Sequence, residues 1–181
     1  MMNLFALEHS KSAYRADFVL FTIALVLLAA FLWVTGPRAQ RLEIVTFALG
    51  GLGGWTAMEY ALHRFVLHGL QPFRRWHAEH HQRPRALIFT STFLSATLIA
   101  MLVFFPMLLL GDLWRACALT LGLLTGYLGY AITHHAIHHW RADNAWLKER
   151  KRWHALHHHS EQPGCYGVTS SVWDRVFGST Y

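Results

Sequence analysis

Histidine is the residue whose number and spacing point to chemistry. The chain has 14 histidines, and all but His9 lie between His63 and His159. His77, His80 and His81 follow an i, i+3, i+4 pattern, and His154, His157 and His158 repeat it. Residues three and four apart share a helix face, so each triplet aims three imidazoles one way. His134 and His138 are one turn apart and share a face in the same manner. His63 and His68 are five apart, a spacing that splays them about a regular helix and lets them reach two different metals. Imidazole is mostly neutral near pH 7, the form that ligates iron, zinc, copper or nickel. These ten rings predict a metal centre. A lone histidine here would read as a packed or interface residue.

Other polar residues sit close by in the sequence. Glu59 precedes His63 by one helical turn, where it could accept a hydrogen bond from a ligand imidazole. It would otherwise be an interface charge. Glu79 falls between ligands and is expected to face outward. His139 could orient a ligand or replace one, and His135 and His159 also adjoin proposed ligands. Asp174 is read as a hydrogen-bond acceptor for a ligand or as a helix cap. His9 reads as a solvated terminal residue.

The elements that must carry these residues are membrane helices. The chain is 54% apolar and 14% charged, against about 25% charged for a soluble domain. Residues 18–35, 86–110 and 116–133 are uncharged, and 44–62 is interrupted only by Glu59. Each run approaches the roughly 20 residues needed to cross the hydrocarbon, so four spans are expected. The first follows Lys11 and Arg15, but it is too long for a signal peptide and lacks a cleavage site. Gly50/Gly54 and Gly122/Gly126 have the small-residue spacing that lets helices approach in lipid. Pro106 is placed to kink the third span.

Charge then orients the spans. With four, the N-terminus, residues 64–85 and the tail after His134 share one side and hold 13 of the 16 Lys and Arg residues. The positive-inside rule puts that side, with every histidine cluster, in the cytoplasm. The net charge of +6 is explained by topology and anionic headgroups, and no soluble basic stripe suggests nucleic acid. Two cysteines, Cys117 and Cys165, do not make a disulfide framework and cannot supply the four thiolates of a typical iron–sulfur cluster. Electrons would have to come from a separate carrier.

The chain also repeats itself in part. Arg74-Arg75-Trp76-His77-Ala78-Glu79-His80-His81 returns as Lys151-Arg152-Trp153-His154-Ala155-Leu156-His157-His158. Each copy follows two expected spans and an earlier histidine pair. Two similar halves supplying similar ligands suit a site with two similar metals.

At these residues a family resemblance emerges. The segment from Glu59 to His68, the HAEHH run at 77–81, the pairs His134 and His138-His139, and the HALHH run at 154–158 resemble the ordered histidine boxes of the fatty acid hydroxylase/sterol desaturase superfamily. Residues 167–178, GVTSSVWDRVFG, are similar to the closing motif of the fatty acid 2-hydroxylases. The resemblance covers residues 55–180. It implies an all-α integral membrane domain occupying residues 1–181. Four transmembrane helices would stand beneath a cytosolic histidine-rich cap that holds a dimetal centre. The implied ligands are His63, His68, His77, His80, His81, His134, His138, His154, His157 and His158. Two iron ions, O2 and external electrons would hydroxylate a membrane lipid acyl chain, with zinc able to occupy the same imidazoles in a purified sample. No cytochrome b5-like segment lies in these 181 residues, so a ferredoxin- or cytochrome b5-like donor is expected. His135 stands where relatives often carry an aromatic residue. Bacterial carotenoid ring hydroxylases share the box layout and short length but typically place an Asp there. A carotenoid or sterol hydroxylase or desaturase is the alternative enzyme. A metal-binding or metal-transport membrane protein is the non-enzyme alternative. The first and third spans, which lack ionisable residues, disfavour transport.

Overall fold

A computed structural model of the chain describes residues 8–88, 90–160 and 164–180. Apart from one isolated bridge between Glu8 and Ile88, the described secondary structure is helical. Contacts divide the chain into two compact units, residues 1–55 with 87–128 and residues 56–86 with 129–181.

In the first unit, α1 (Lys11–Thr35) begins where the Ser10 side chain accepts the amide of Ala13. That bond satisfies one of the donors a helix start leaves open. A short 3-10 turn (Arg38–Gln40) leads into α2 (Arg41–Ala61). Then α4 (Thr92–Ile99), capped by Ser91, passes through a π-turn (Ala100–Phe104) into α5 (Phe105–Leu110). Pro106 accounts for that turn. It has no N–H to donate and its ring crowds the preceding carbonyls, so the helix widens there. The expected third span began at residue 86. Its Phe89 lies outside the described residues, and the helix starts only at Thr92.

Among the described residues, three helices are long and apolar enough to cross a membrane: Lys11–Thr35, Thr92–Leu110 and Leu113–His139. Large apolar side chains are exposed along the first two, including Val26, Leu27, Val34, Leu102, Leu109 and Leu110. Lipid rather than water suits such surfaces. The fourth expected span, α2, does not reach that apolar level. Four glycines and the charges of Arg41, Glu43 and Glu59 dilute it.

Its glycines instead admit a neighbour. A side chain on Gly51 would strike the Leu119 carbonyl, and one on Gly122 would strike the Ala48 carbonyl. α2 and α6 (Leu113–His139) therefore touch backbone to backbone. The contact uses Gly51, not the expected Gly50 and Gly54, which have open space around them, while Gly126 faces the Trp55 ring. Glu43 pairs with Arg115 at 2.6 Å near the start of both helices.

The second unit contains the π-turn Leu62–Leu67, α3 (Phe73–Gln82), the end of α6, α7 (Ala145–His159) and a closing segment with α8 (Val172–Val176). Asn144 caps α7 by accepting the Leu147 amide at 2.8 Å. Ala136, Ile137, Leu147 and Val168 form its apolar core. Every histidine triplet lies in this unit.

Candidate metal centre

Ten histidines converge here through the tips of their rings. His63 Nε2 lies 3.0 Å from His77 Nε2, which is also 3.0 Å from His81 Nε2. His68 Nε2 lies 3.1 Å from His157 Nε2. His134 Nε2 lies 3.1 Å from His80 Nε2 and 3.3 Å from His138 Nε2. His154 Nε2 lies 2.9 Å from both His138 and His158 Nε2. Two groups have ligand atoms all within 4.8 Å of one another. The first is His63, His68, His77, His81 and His157, and the second is His80, His134, His138 and His154. His158 joins the second through His154 and stacks on His81 of the first at 4.1 Å.

The backbone explains the first pair. His63 and His68 were expected to splay, since five residues of α-helix rotate a side chain by about 140° net. Both instead fall in the first group, with ring centroids 5.3 Å apart. The π-turn is the cause. The His68 amide bonds to the His63 carbonyl five residues back, and the widened turn brings i and i+5 onto one face. Both rings therefore belong to one group of candidate ligands, not to two.

The repeated triplets divide reciprocally. α3 gives His77 and His81 to the first group and His80 to the second. α7 gives His154 and His158 to the second and His157 to the first. In each triplet the middle histidine crosses over. The sequence repeat is therefore a repeat of site architecture.

The rings suit a cation. Burial, reinforced by neighbouring imidazoles, lowers His68 to about 4, His80 and His81 to about 3 and His158 to about 2. His63, His77 and His154 are pushed down further by the same causes, burial first. All therefore remain neutral near pH 7, as ligands must. His63 Nδ1 donates to the Tyr166 carbonyl at 2.5 Å, and His157 Nδ1 donates to the Gly164 carbonyl at 2.8 Å. A carbonyl only accepts, so each Nδ1 carries the hydrogen and each Nε2 presents a bare lone pair. Bare nitrogens packed tip to tip call for a positive charge between them. An all-imidazole set fits iron or zinc. Both cysteines are free and buried.

The closing segment holds those carbonyls in place. Asp174, fully buried, accepts the amides of Tyr166 and Gly167 at 2.8 Å each. Glu59 accepts the amides of Val168 and Thr169 at 2.7 and 2.9 Å. His63 bonds to Tyr166, and Glu59 braces the chain just beyond it. Sequence reasoning missed Tyr166 and Gly164 because their contribution is a backbone carbonyl. Only their place just before the closing motif hinted at it. His139 is exposed and stacks on His135 at 4.5 Å, outside both groups. Glu79 faces outward and pairs with Arg83 at 3.2 Å. His9 is half-buried, and its amide bonds to the Leu87 carbonyl.

Comparison with known proteins points to one family. The sequence model of the fatty acid hydroxylase family matches residues 47–179. The chain is 38% identical to dihydroceramide fatty acyl 2-hydroxylase FAH2 of Arabidopsis thaliana over 141 residues, covering 71% of this chain and 58% of that protein. It is 34% identical over 149 residues to ceramide very long chain fatty acid hydroxylase scs7 of Schizosaccharomyces pombe, covering 75% and 42%. A solved structure of full-length scs7p, with only its hydroxylase domain visible, aligns at a TM-score of 0.80 and 26% identity. That alignment covers 93% of this chain and 67% of the other. The chain spans about half the length of the curated relatives it matches.

Proposed function

The chain belongs to the fatty acid hydroxylase family, in its 2-hydroxylase branch, and from that premise we propose that it is a membrane-bound, O2-dependent di-iron monooxygenase. Its substrate is a fatty acid or acylated membrane lipid, hydroxylated at the carbon next to the acyl carbonyl. The observation that carries this reading is the convergence of ten neutral imidazoles into two reciprocal groups.

His63, His68, His77, His81 and His157 would hold one iron, and His80, His134, His138, His154 and His158 the other. Two irons there would supply reduction of O2 and oxidation of an unactivated C–H bond, beyond the reach of ordinary acid–base groups. The chain's own part is placement. Tyr166 and Gly164 fix the tautomers of His63 and His157 through their carbonyls. Asp174 and Glu59 hold the segment bearing those carbonyls. Burial keeps the imidazoles unprotonated and excludes water that would compete for the oxidant.

In this reading α2 completes four spans. The N-terminus and the histidines face the cytoplasm, and a ferredoxin- or cytochrome b5-like protein delivers electrons. The positive-inside charge distribution and the α2–α6 backbone contact support it.

Expression in a host rich in saturated acyl chains tests the proposal. Lipid mass spectrometry should find 2-hydroxy acyl chains that disappear with His80→Ala. Ring-hydroxylated carotenoid in a pigment-producing host, with unmodified acyl chains, would overturn it in favour of the carotenoid reading.

A further inference from the structure

Two buried tyrosines lie beside the first histidine group, and the reading above uses neither side chain. The Tyr166 ring packs against His68 at 5.4 Å, His157 at 5.6 Å and His63 at 5.7 Å between centroids. Tyr60, 3% exposed, meets Tyr166 edge to face at 6.0 Å. Aromatic contact thus runs without a break from three histidines to the Tyr60 phenol.

That phenol sits in a hydrogen-bond chain of fixed direction. Arg64 Nη1 donates to Tyr60 Oη at 2.5 Å. A guanidinium only donates, so the tyrosine oxygen accepts there. Ser179 Oγ donates to Asp174 Oδ1 at 2.8 Å. A hydroxyl has one hydrogen, so in its 3.0 Å contact with Tyr60 Oη the serine must accept. The order is Arg64 to Tyr60 to Ser179 to Asp174, ending on a fully buried carboxylate. The phenol hydrogen has one exit, and an acceptor is aligned at its end.

We propose that Tyr60, acting through Tyr166, is a proton-coupled electron relay that quenches the oxidised metal centre when no substrate C–H bond is in place. The proposal rests on the monooxygenase reading, because the one-electron oxidant is the O2-activated metal centre. One electron leaves Tyr60, passes Tyr166 and reduces that centre by one equivalent. The Tyr60 O–H bond breaks as its proton moves to Ser179. The Ser179 proton moves to Asp174, which becomes a neutral carboxylic acid. Tyr60 is left as a neutral phenoxyl radical, still accepting from Arg64. The electron donor returns one electron, and the protons run back along the same chain. Without such an outlet, an oxidant formed without substrate would attack the nearest imidazoles.

The test uses the iron-loaded full chain in nanodiscs made from lipids with hydrocarbon chains bearing no acyl carbonyl. It is reduced chemically and exposed to O2. Freeze-quenched electron paramagnetic resonance should show a phenoxyl radical in the natural protein and none in Tyr60→Phe. Ser179→Ala keeps the rings but breaks the proton path, and should lower the radical yield several-fold at unchanged iron content. During substrate-free O2 consumption Tyr60→Phe should inactivate several-fold faster, with oxygen added to His63, His68 or His157 by peptide mass spectrometry. Its initial rate on acyl substrate should match the natural protein. A radical that persists in Tyr60→Phe, or equal inactivation rates, overturns the relay alone. A natural protein that consumes no O2 overturns both the relay and the hydroxylase reading.

Discussion

The two histidine groups have matching composition but different support. In the first, His63 and His157 each donate Nδ1–H to a carbonyl of the closing segment, which Asp174 and Glu59 hold from behind. In the second, the buried Nδ1 atoms of His80, His154 and His158 have no hydrogen-bond partner among the described residues. Their orientation comes from helix packing, with Tyr130 stacked on His134 at 5.8 Å. The repeat duplicated the ligands but not the scaffold that orients them. Hydrogen bonds to the closing segment fix two rings of the first group, whereas helix packing alone holds the rings of the second.

The crossing histidines offer the strongest way to break this comparison. His80→Ala and His157→Ala each remove one ligand from opposite groups. Turnover should fall by more than about 100-fold in both, beyond the range for outer-shell changes. Retained product formation by either protein, with insertion verified by protease protection, would remove the ligand assignment. Asp174→Asn should come next. Releasing the closing segment should weaken metal binding at the first group by about 10–100-fold and spare the second. A chelator titration followed by elemental analysis should then lose one metal early. Loss of both metals together would erase the proposed asymmetry.

Glu59→Gln should act in the same direction but more weakly, about 10-fold or less, because the amide oxygen still accepts one backbone N–H. Acid should produce the smallest effect, one shared by both groups. The folded chain holds His68 near 4 and His80 and His81 near 3, below the ordinary histidine value of 6.5. As pH falls below 6.5 the unfolded chain takes up protons that the folded chain refuses. Stability of the metal-free protein should therefore be full above that value and decline between it and about 3. Thermal unfolding in detergent across that range measures the decline. An unchanged midpoint would mean the rings are more hydrated than their burial indicates.

Much of the site was legible because its residues are chemically distinctive. Spacing alone placed His77, His80 and His81 on one face and His154, His157 and His158 on another. It could not show that His80 and His157 cross, since that depends on how α3 and α7 pack. It also misread His63 and His68, because a regular helix was assumed where the chain makes a π-turn. The supporting contacts were the least visible. Tyr166 and Gly164 act through carbonyls that any residue would carry, and Glu59 was identified without its contacts to the Val168 and Thr169 amides. For the fold, hydropathy located α1, the Thr92–Leu110 helix and α6 well. It also marked α2, which by length and hydropathy alone does not stand out as a span and whose Gly51 packs closely against Leu119.

The widened turn at Leu62–Leu67 separates two traits that usually change together. A deletion of one residue there would restore a regular helix and swing His68 away from its partners. The apolar sequence upstream would be untouched, so translocation machinery would handle the shortened polypeptide as before. A descendant with that lesion would reach the bilayer and accumulate normally with its first histidine group incomplete. Sequence comparison by hydropathy would pass it as intact, and only the count of residues between two histidines would reveal the loss.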